Sequence, residues 1–166
     1  MDISAETEKL VTKYRTRDPF ELSAALGAEV VFADLGSLKG MYTVIKRNRF
    51  IVINQSLTEP MRKIVCAHEL GHDRLHRGMA MDSAFKETSV YDMSLRPERE
   101  ANIFAATLLI DKNEMLSLIM DGHDAASAAA ALKTDLGLLM IRAEELLNSG
   151  EHISVPFCAR GDFLGR

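Results

Sequence analysis

An α+β fold is what the sequence predicts: a small three-stranded, antiparallel-type sheet packed on one central helix, followed by a helical C-terminal half. Three observations carry that expectation. Strand-like runs of β-branched and aromatic residues fall between residues 29 and 54, helical patterns with cap residues flank them on both sides, and the remainder of the chain reads as helix. A length of 166 residues suits one domain, 1–166, with a core over 1–110 and a helical tail over 111–166 packed on it.

Taken in order, the first helical pattern covers residues 5–14, where Ile3, Leu10, Val11 and Tyr14 can share a face. Asp18-Pro19-Phe20-Glu21 marks a second start. Asp18 is placed as N-cap, Pro19 fits a position that needs no N–H, Glu21 stands at the capping-box position, and Gly27 supplies the stop. Residues 29–33 then read as a strand, with Gly36 and Gly40 punctuating the loop after it. Two further runs, 41–45 and 50–54, make a hairpin across Lys46-Arg47-Asn48-Arg49, whose basic tip reads as a solvated turn.

Ser56 or Thr58 can cap the next helix, Pro60 lies in its first turn, and the pattern runs to about His76 with Gly78 as its stop. Residues 79–95 show no periodicity and read as an irregular connection. An amphipathic helix follows over 97–110, with Ala101, Phe104, Ala105, Leu108 and Leu109 on its core face. The tail divides into helices over 113–120, 124–133 and 136–147, the last ending near Gly150.

Composition narrows the function classes. Hydrophobic residues make up 47% and charged residues 27%, the balance of a globular protein rather than a disordered one. A net charge of −4 gives no reason to expect nucleic acid as the main ligand. The last two helices could form a helix-turn-helix, yet residues 111–166 hold five basic side chains against nine acidic ones, a poor surface for phosphates. Cys66 and Cys158 form neither a CxxC nor a disulfide ladder. The opening residues do not resemble a secretory signal and no run is long enough to span a bilayer, so a cytoplasmic protein with no membrane partner is expected.

His68-Glu69-Leu70-Gly71-His72 carries the chemistry. Side chains four apart share a helix face, so His68 and His72 can grip one cation, while Glu69 is rotated just far enough to act as general base on a metal-held water. A catalytic zinc takes three protein ligands and leaves a position open. His76 continues the spacing but stands about 12 Å of helix rise from His68, too far to share the metal, and is expected instead to help end the helix. Glu98 and Glu100 are about 200° apart on the following helix, so at most one faces the metal. Asn102, four residues after Glu98 on the same face, could hold a ligating histidine's far nitrogen. Either acid could alternatively be a solvated residue favoured by the helix dipole.

The stretch Ala67-His68-Glu69-Leu70-Gly71-His72 with Leu75-His76, and the stretch Glu98-Arg99-Glu100-Ala101-Asn102-Ile103-Phe104-Ala105-Ala106-Thr107-Leu108-Leu109, closely resemble the ImmA/IrrE family of zinc metallopeptidases. Thr16-Arg17-Asp18-Pro19, Gly40-Met41-Tyr42 and Phe50-Ile51-Val52-Ile53-Asn54 are similar too. Ile110-Asp111 departs from the Met-Pro of many members. The resemblance implies a minimal zincin fold of gluzincin type, with His68, His72 and Glu98 as zinc ligands and Glu69 as catalytic base. It also implies cleavage of a transcriptional repressor of the phage, mobile-element or stress-response type, a helix-turn-helix protein. Tyr91 is a candidate oxyanion donor. By analogy with zincins, the strand holding Ile51, Val52 and Ile53 could be a sheet edge that receives extended substrate. Two alternatives come from other classes: a zinc-containing regulator that binds a repressor without cutting it, and a DNA-binding regulator.

Overall fold

The computed structural model describes residues 1–80, 96–151 and 153. Asp2 opens the first helix, α1 (Ile3–Tyr14), by accepting from the Ala5 amide. The one buried residue of α1 is Thr7, whose hydroxyl bonds back to the Ile3 carbonyl, while the apolar residues expected on its core face are only half covered. Asp18 caps α2 (Pro19–Ala25) through the amides of Phe20 and Glu21, and Gly27 ends it with φ at +77°. The capping box takes a different form from the one expected. Glu21 accepts from the Thr16 hydroxyl, and Thr16 Oγ1 in turn accepts from the Asp18 amide, so a hydroxyl stands between carboxylate and backbone.

Three strands follow, β1 (Ala28–Ala33), β2 (Gly40–Ile45) and β3 (Asn48–Asn54), in the spatial order β1-β3-β2. The hairpin expected between β2 and β3 is antiparallel with Ile45 opposite Asn48, closed by Lys46 and Arg47 at φ 49° and 69°. Positive φ at both central positions suits the twist of a two-residue hairpin, although glycine is absent here. β1 pairs parallel with β3, which makes the sheet mixed rather than purely antiparallel. The reason is topological: after β1 the chain crosses to the far side of the sheet and returns in the middle, so β3 runs in the direction of β1. β3 is therefore the central strand.

Asn54 at its end pins the loops on both sides. Its amide donates to the carbonyls of Gly36 and Leu38, and its Oδ1 accepts from both the amide and the hydroxyl of Ser56. Ser56 is thus engaged before the helix starts, and α3 (Glu59–Leu75) takes Thr58 as N-cap without a side-chain bond. α3 ends at His76 as expected, but Gly78 is not its stop and lies within a short helix, α4 (Arg77–Ala80). The remaining helices are α5 (Arg96–Leu109), α6 (Lys112–Met120), α7 (Ala125–Ala131) and α8 (Leu136–Asn148).

The chain divides into two compact units, 1–109 and 110–166. In the first, α3 covers the sheet and packs along α5, and Ile51, Ile53, Tyr42, Val65, Leu70, Phe104 and Leu108 are almost wholly buried. Arg17 ties the N-terminal helices to α5 by donating to the carbonyls of Thr107 and Leu108, groups a helix end leaves without an internal partner, while pairing with Glu8. Arg49 is no solvated turn residue. It pairs through Nη1 with both oxygens of the fully buried Asp73 at 3.0 and 2.8 Å and also donates to the Leu26 carbonyl. Only Lys46 and Arg47 form the exposed basic tip.

In the second unit α6, α7 and α8 carry Asp111, Asp124 and Asp135 as N-caps that accept from their first-turn amides. No described helix is long and apolar enough to cross a membrane.

Candidate metal centre

α3 and α5 approach closely at one point, and the sequence says where. A Cβ on Gly71 would lie 3.0 Å from the Ala101 Cα, 3.1 Å from its carbonyl oxygen and 3.3 Å from its Cβ, so glycine facing alanine lets the backbones approach. One turn away along this seam, His68 and His72 on α3 meet Glu98 on α5. His68 Nε2 lies 3.1 Å from His72 Nε2 and 3.2 Å from Glu98 Oε2, and His72 Nε2 lies 3.4 Å from Glu98 Oε1.

These separations are informative. A tetrahedral zinc with bonds of about 2.0–2.1 Å has ligand-to-ligand edges of about 3.3–3.4 Å. The two imidazole nitrogens approach that spacing, each lies close to a different oxygen of Glu98, and one donor from each residue falls within 4.8 Å of the others; all three residues are buried, at 2%, 4% and 2% exposure. Two imidazoles and a carboxylate suit zinc, and the three donors found among the described residues fill three of the four positions of a tetrahedron. The cluster could hold a metal ion.

Each imidazole is held from behind. His68 Nδ1 lies 2.9 Å from Asn102 Oδ1. His72 Nδ1 lies 3.2 Å from His76 Nδ1, and His76 Nε2 lies 2.9 Å from Glu100 Oε2. His76 caps the helix as expected, but through its backbone N–H to the His72 carbonyl, and its ring points to His72 and Glu100. Glu100 thus stands outside the three-donor cluster and contacts His76 and Arg96 instead. The i, i+4 spacing of His72 and His76 was the available signal for this contact, and only the side chain reaching over from α5 makes it legible.

Electrostatics follow the same pattern. Burial would raise the Glu98 carboxyl, but hydrogen bonds from His68 and His72 hold it far below the usual carboxylate range. Burial lowers the His68 imidazole, but Glu98, Glu69 and Asn102 outweigh it and leave the pKa raised. Burial pushes Glu69 up, opposed by His68 and His72 and reinforced by Glu98. Burial lowers His76 against the pull of Glu100, whose own carboxyl is lowered by His76 and Arg96.

Glu69 is 8% exposed and faces β2, where the Tyr42 backbone bonds its carboxylate and Gly40 leaves room for its stem. A Cβ on Gly40 would stand 2.3 Å from Val65 Cγ1 and 3.4 Å from Glu69 Cγ. The strand beside Glu69 is therefore β2. Ile51, Val52 and Ile53 do not form a receiving edge, because β3 is paired on both sides and Ile51 and Ile53 are fully buried. Their nearly continuous apolar run, Phe50-Ile51-Val52-Ile53, was the sign of a central strand. Tyr91 lies outside the described residues. Cys66, buried with its thiol pushed up to about 12 by desolvation, is placed for packing and not for nucleophilic chemistry.

The Peptidase_M78 family model, described as the IrrE N-terminal-like domain, matches residues 24–142. A protein of Bacillus phage phi105, named "Uncharacterized immunity region protein 2", is 38% identical over 109 residues, which is 65% of this chain and 68% of the phage protein.

Proposed function

The chain belongs to the IrrE N-terminal-like peptidase family, and from that premise we propose that it is a cytoplasmic zinc metallo-endopeptidase that cuts a helix-turn-helix transcriptional repressor. The observation that carries this reading is the convergence of buried His68, His72 and Glu98, with one donor from each within 4.8 Å of the others, and Glu69 one residue from the first of them. A purely structural zinc prefers four protein ligands, and among the described residues this cluster offers three.

In this reading His68 Nε2, His72 Nε2 and one oxygen of Glu98 hold the metal. Zinc there would polarise the scissile carbonyl and lower the pKa of water toward about 7. The Glu69 carboxylate takes the proton of the attacking water and then delivers it to the leaving nitrogen, a role for which its buried place beside His68 suits it. The Tyr42 backbone keeps that carboxylate aimed while it waits. β2 is an edge strand beside Glu69, so an extended substrate can add to it through main-chain hydrogen bonds. Tyr91 remains the candidate donor to the oxyanion.

The phage relative's immunity-region name supports a repressor as the substrate class. Mass spectrometry of candidate helix-turn-helix repressors from the same genome, incubated with the protein and zinc, tests it. Two fragments that vanish when a chelator is added are expected; an intact repressor bound to the protein would favour a regulator that does not cut.

A further inference from the structure

The two ligand imidazoles are held from behind by unlike partners, and the difference rests on the metal-centre reading above. Behind His68 stands a neutral amide, Asn102. Behind His72 stands a chain of three side chains: His76 Nδ1 at 3.2 Å, Glu100 Oε2 at 2.9 Å from His76 Nε2, and Arg96 Nε donating to Glu100 Oε1 at 2.8 Å.

With neutral imidazoles, hydrogen placement in that chain has one solution once His72 Nε2 offers its lone pair. The His72 hydrogen must then sit on Nδ1 and point at His76 Nδ1. That atom has to be bare to accept it, so the His76 hydrogen sits on Nε2 and is donated to Glu100. An ionised carboxylate is acceptor-only and accepts from both His76 and Arg96. Every polar atom of the chain is satisfied, and no other tautomer of His76 achieves this.

We propose that His76 and Glu100 are positioning residues for His72: His76 fixes the Nδ1–H tautomer and ring orientation of His72, and Glu100 fixes His76 while lending its negative charge to the ligand nitrogen. Burial favours the effect, since His72 and His76 are 4% and 7% exposed and a relayed charge is weakly screened there. Closing the end of α3 does not account for the ring, because the backbone N–H of His76 performs that task whatever its side chain. Arg96, exposed to solvent, is the outermost and least constrained member.

The test is zinc affinity of the full chain, measured by competition with a chromophoric chelator, together with imidazole nitrogen–proton NMR of the zinc-loaded protein. His76→Phe should weaken zinc binding by about 10–100-fold. His76→Gln, whose amide oxygen can accept from His72, should recover most of that loss. Glu100→Gln should weaken binding less, and should add little when combined with His76→Phe, because it acts through His76. The wild-type spectrum should place hydrogens on His72 Nδ1 and His76 Nε2, a readout that does not depend on any variant folding. Affinity within twofold of wild type in a folded His76→Phe, or a hydrogen on His76 Nδ1 in the zinc-loaded wild type, would overturn the relay. Failure of the metal centre itself looks different: the wild-type chain would bind no zinc, or would bind it equally well as His72→Ala.

Discussion

α3 and α5 bury His68, Glu69, His72, Asp73, Glu98, Asn102 and Thr107 among their apolar residues. In α6, α7 and α8 the buried residues are Met115, Ala128, Ala129, Leu138, Leu139, Ala143 and Leu146, with Arg142 the polar exception among the described residues. Burying a charged group costs several kcal/mol unless it is paired and hydrogen-bonded. In the first pair of helices the ionisable groups are met by partners, Asp73 by Arg49, and Glu98 by two imidazoles. The second group relies on apolar contact and three aspartate caps. The first pair of helices thus answers costly burial group by group, and the second group largely avoids it.

Breaking the contrast at its costly end should have the largest effect. Glu98→Ala removes one of three proposed ligands, and zinc affinity by chelator competition should fall more than about a hundredfold, beyond the range of an outer-sphere change. If Glu100→Ala loses more metal than Glu98→Ala, the ligand is misassigned.

pH probes the same groups. In the metal-free chain the charged His68–Glu98 pair stabilises the fold above the ordinary carboxylate range near pH ~4.3, because Glu98 is depressed, and that contribution is lost as pH falls through its folded pKa. The raised His68 contributes stability that is present below about 6.5 and is lost as pH rises through its folded pKa. Zinc must displace the His68 proton, so affinity should climb up to about tenfold per pH unit until His68 is neutral, then level off. The rise in melting temperature caused by zinc should therefore grow between pH 6 and 8. A zinc effect that is flat across that interval would contradict the assignment of His68.

The seam between α3 and α5 gives a smaller effect. Gly71→Ala places a Cβ against Ala101; overpacking costs about 1–3 kcal/mol, and the better helix propensity of alanine returns about 1 kcal/mol. A net loss of about 1 kcal/mol in denaturant unfolding is expected, with zinc affinity falling as α5 and Glu98 are pushed outward. Unchanged affinity would show that the seam does not set the donor spacing.

At the packing end, Asp135→Ala removes the α8 cap that accepts from the Leu138 amide, costing about 1 kcal/mol with zinc affinity unaltered. Altered metal binding in that variant would blur the contrast between the two sets of helices.

Much of this contrast was legible in the sequence, because cap residues and helical spacing are local signals. Asp18, Gly27 and the β2–β3 hairpin stand where their residue types place them, and His68, His72 and Glu98 come together across two helices whose apolar faces were already marked. What stayed hidden depends on which strand the chain inserts between two others and on which side chains cross from one element to another. The central place of β3, the burial of Asp73 under Arg49, and the partnership of His76 with Glu100 are all of that kind. Arg49 read as solvated because a basic cluster beside a turn is usually exposed. Its carboxylate partner lies 24 positions away and is set by the packing of α3 on the sheet.

If His68, His72 and Glu98 hold the metal and Glu69 moves the proton, the two roles separate in one variant. Zinc content and repressor cleavage are measured side by side for the wild-type chain and Glu69→Gln. Equal zinc in both proteins and a loss of cleavage of about 10²–10⁴-fold in the variant are expected. A Glu69→Gln protein that cuts at the wild-type rate, with zinc bound, would contradict that division of roles.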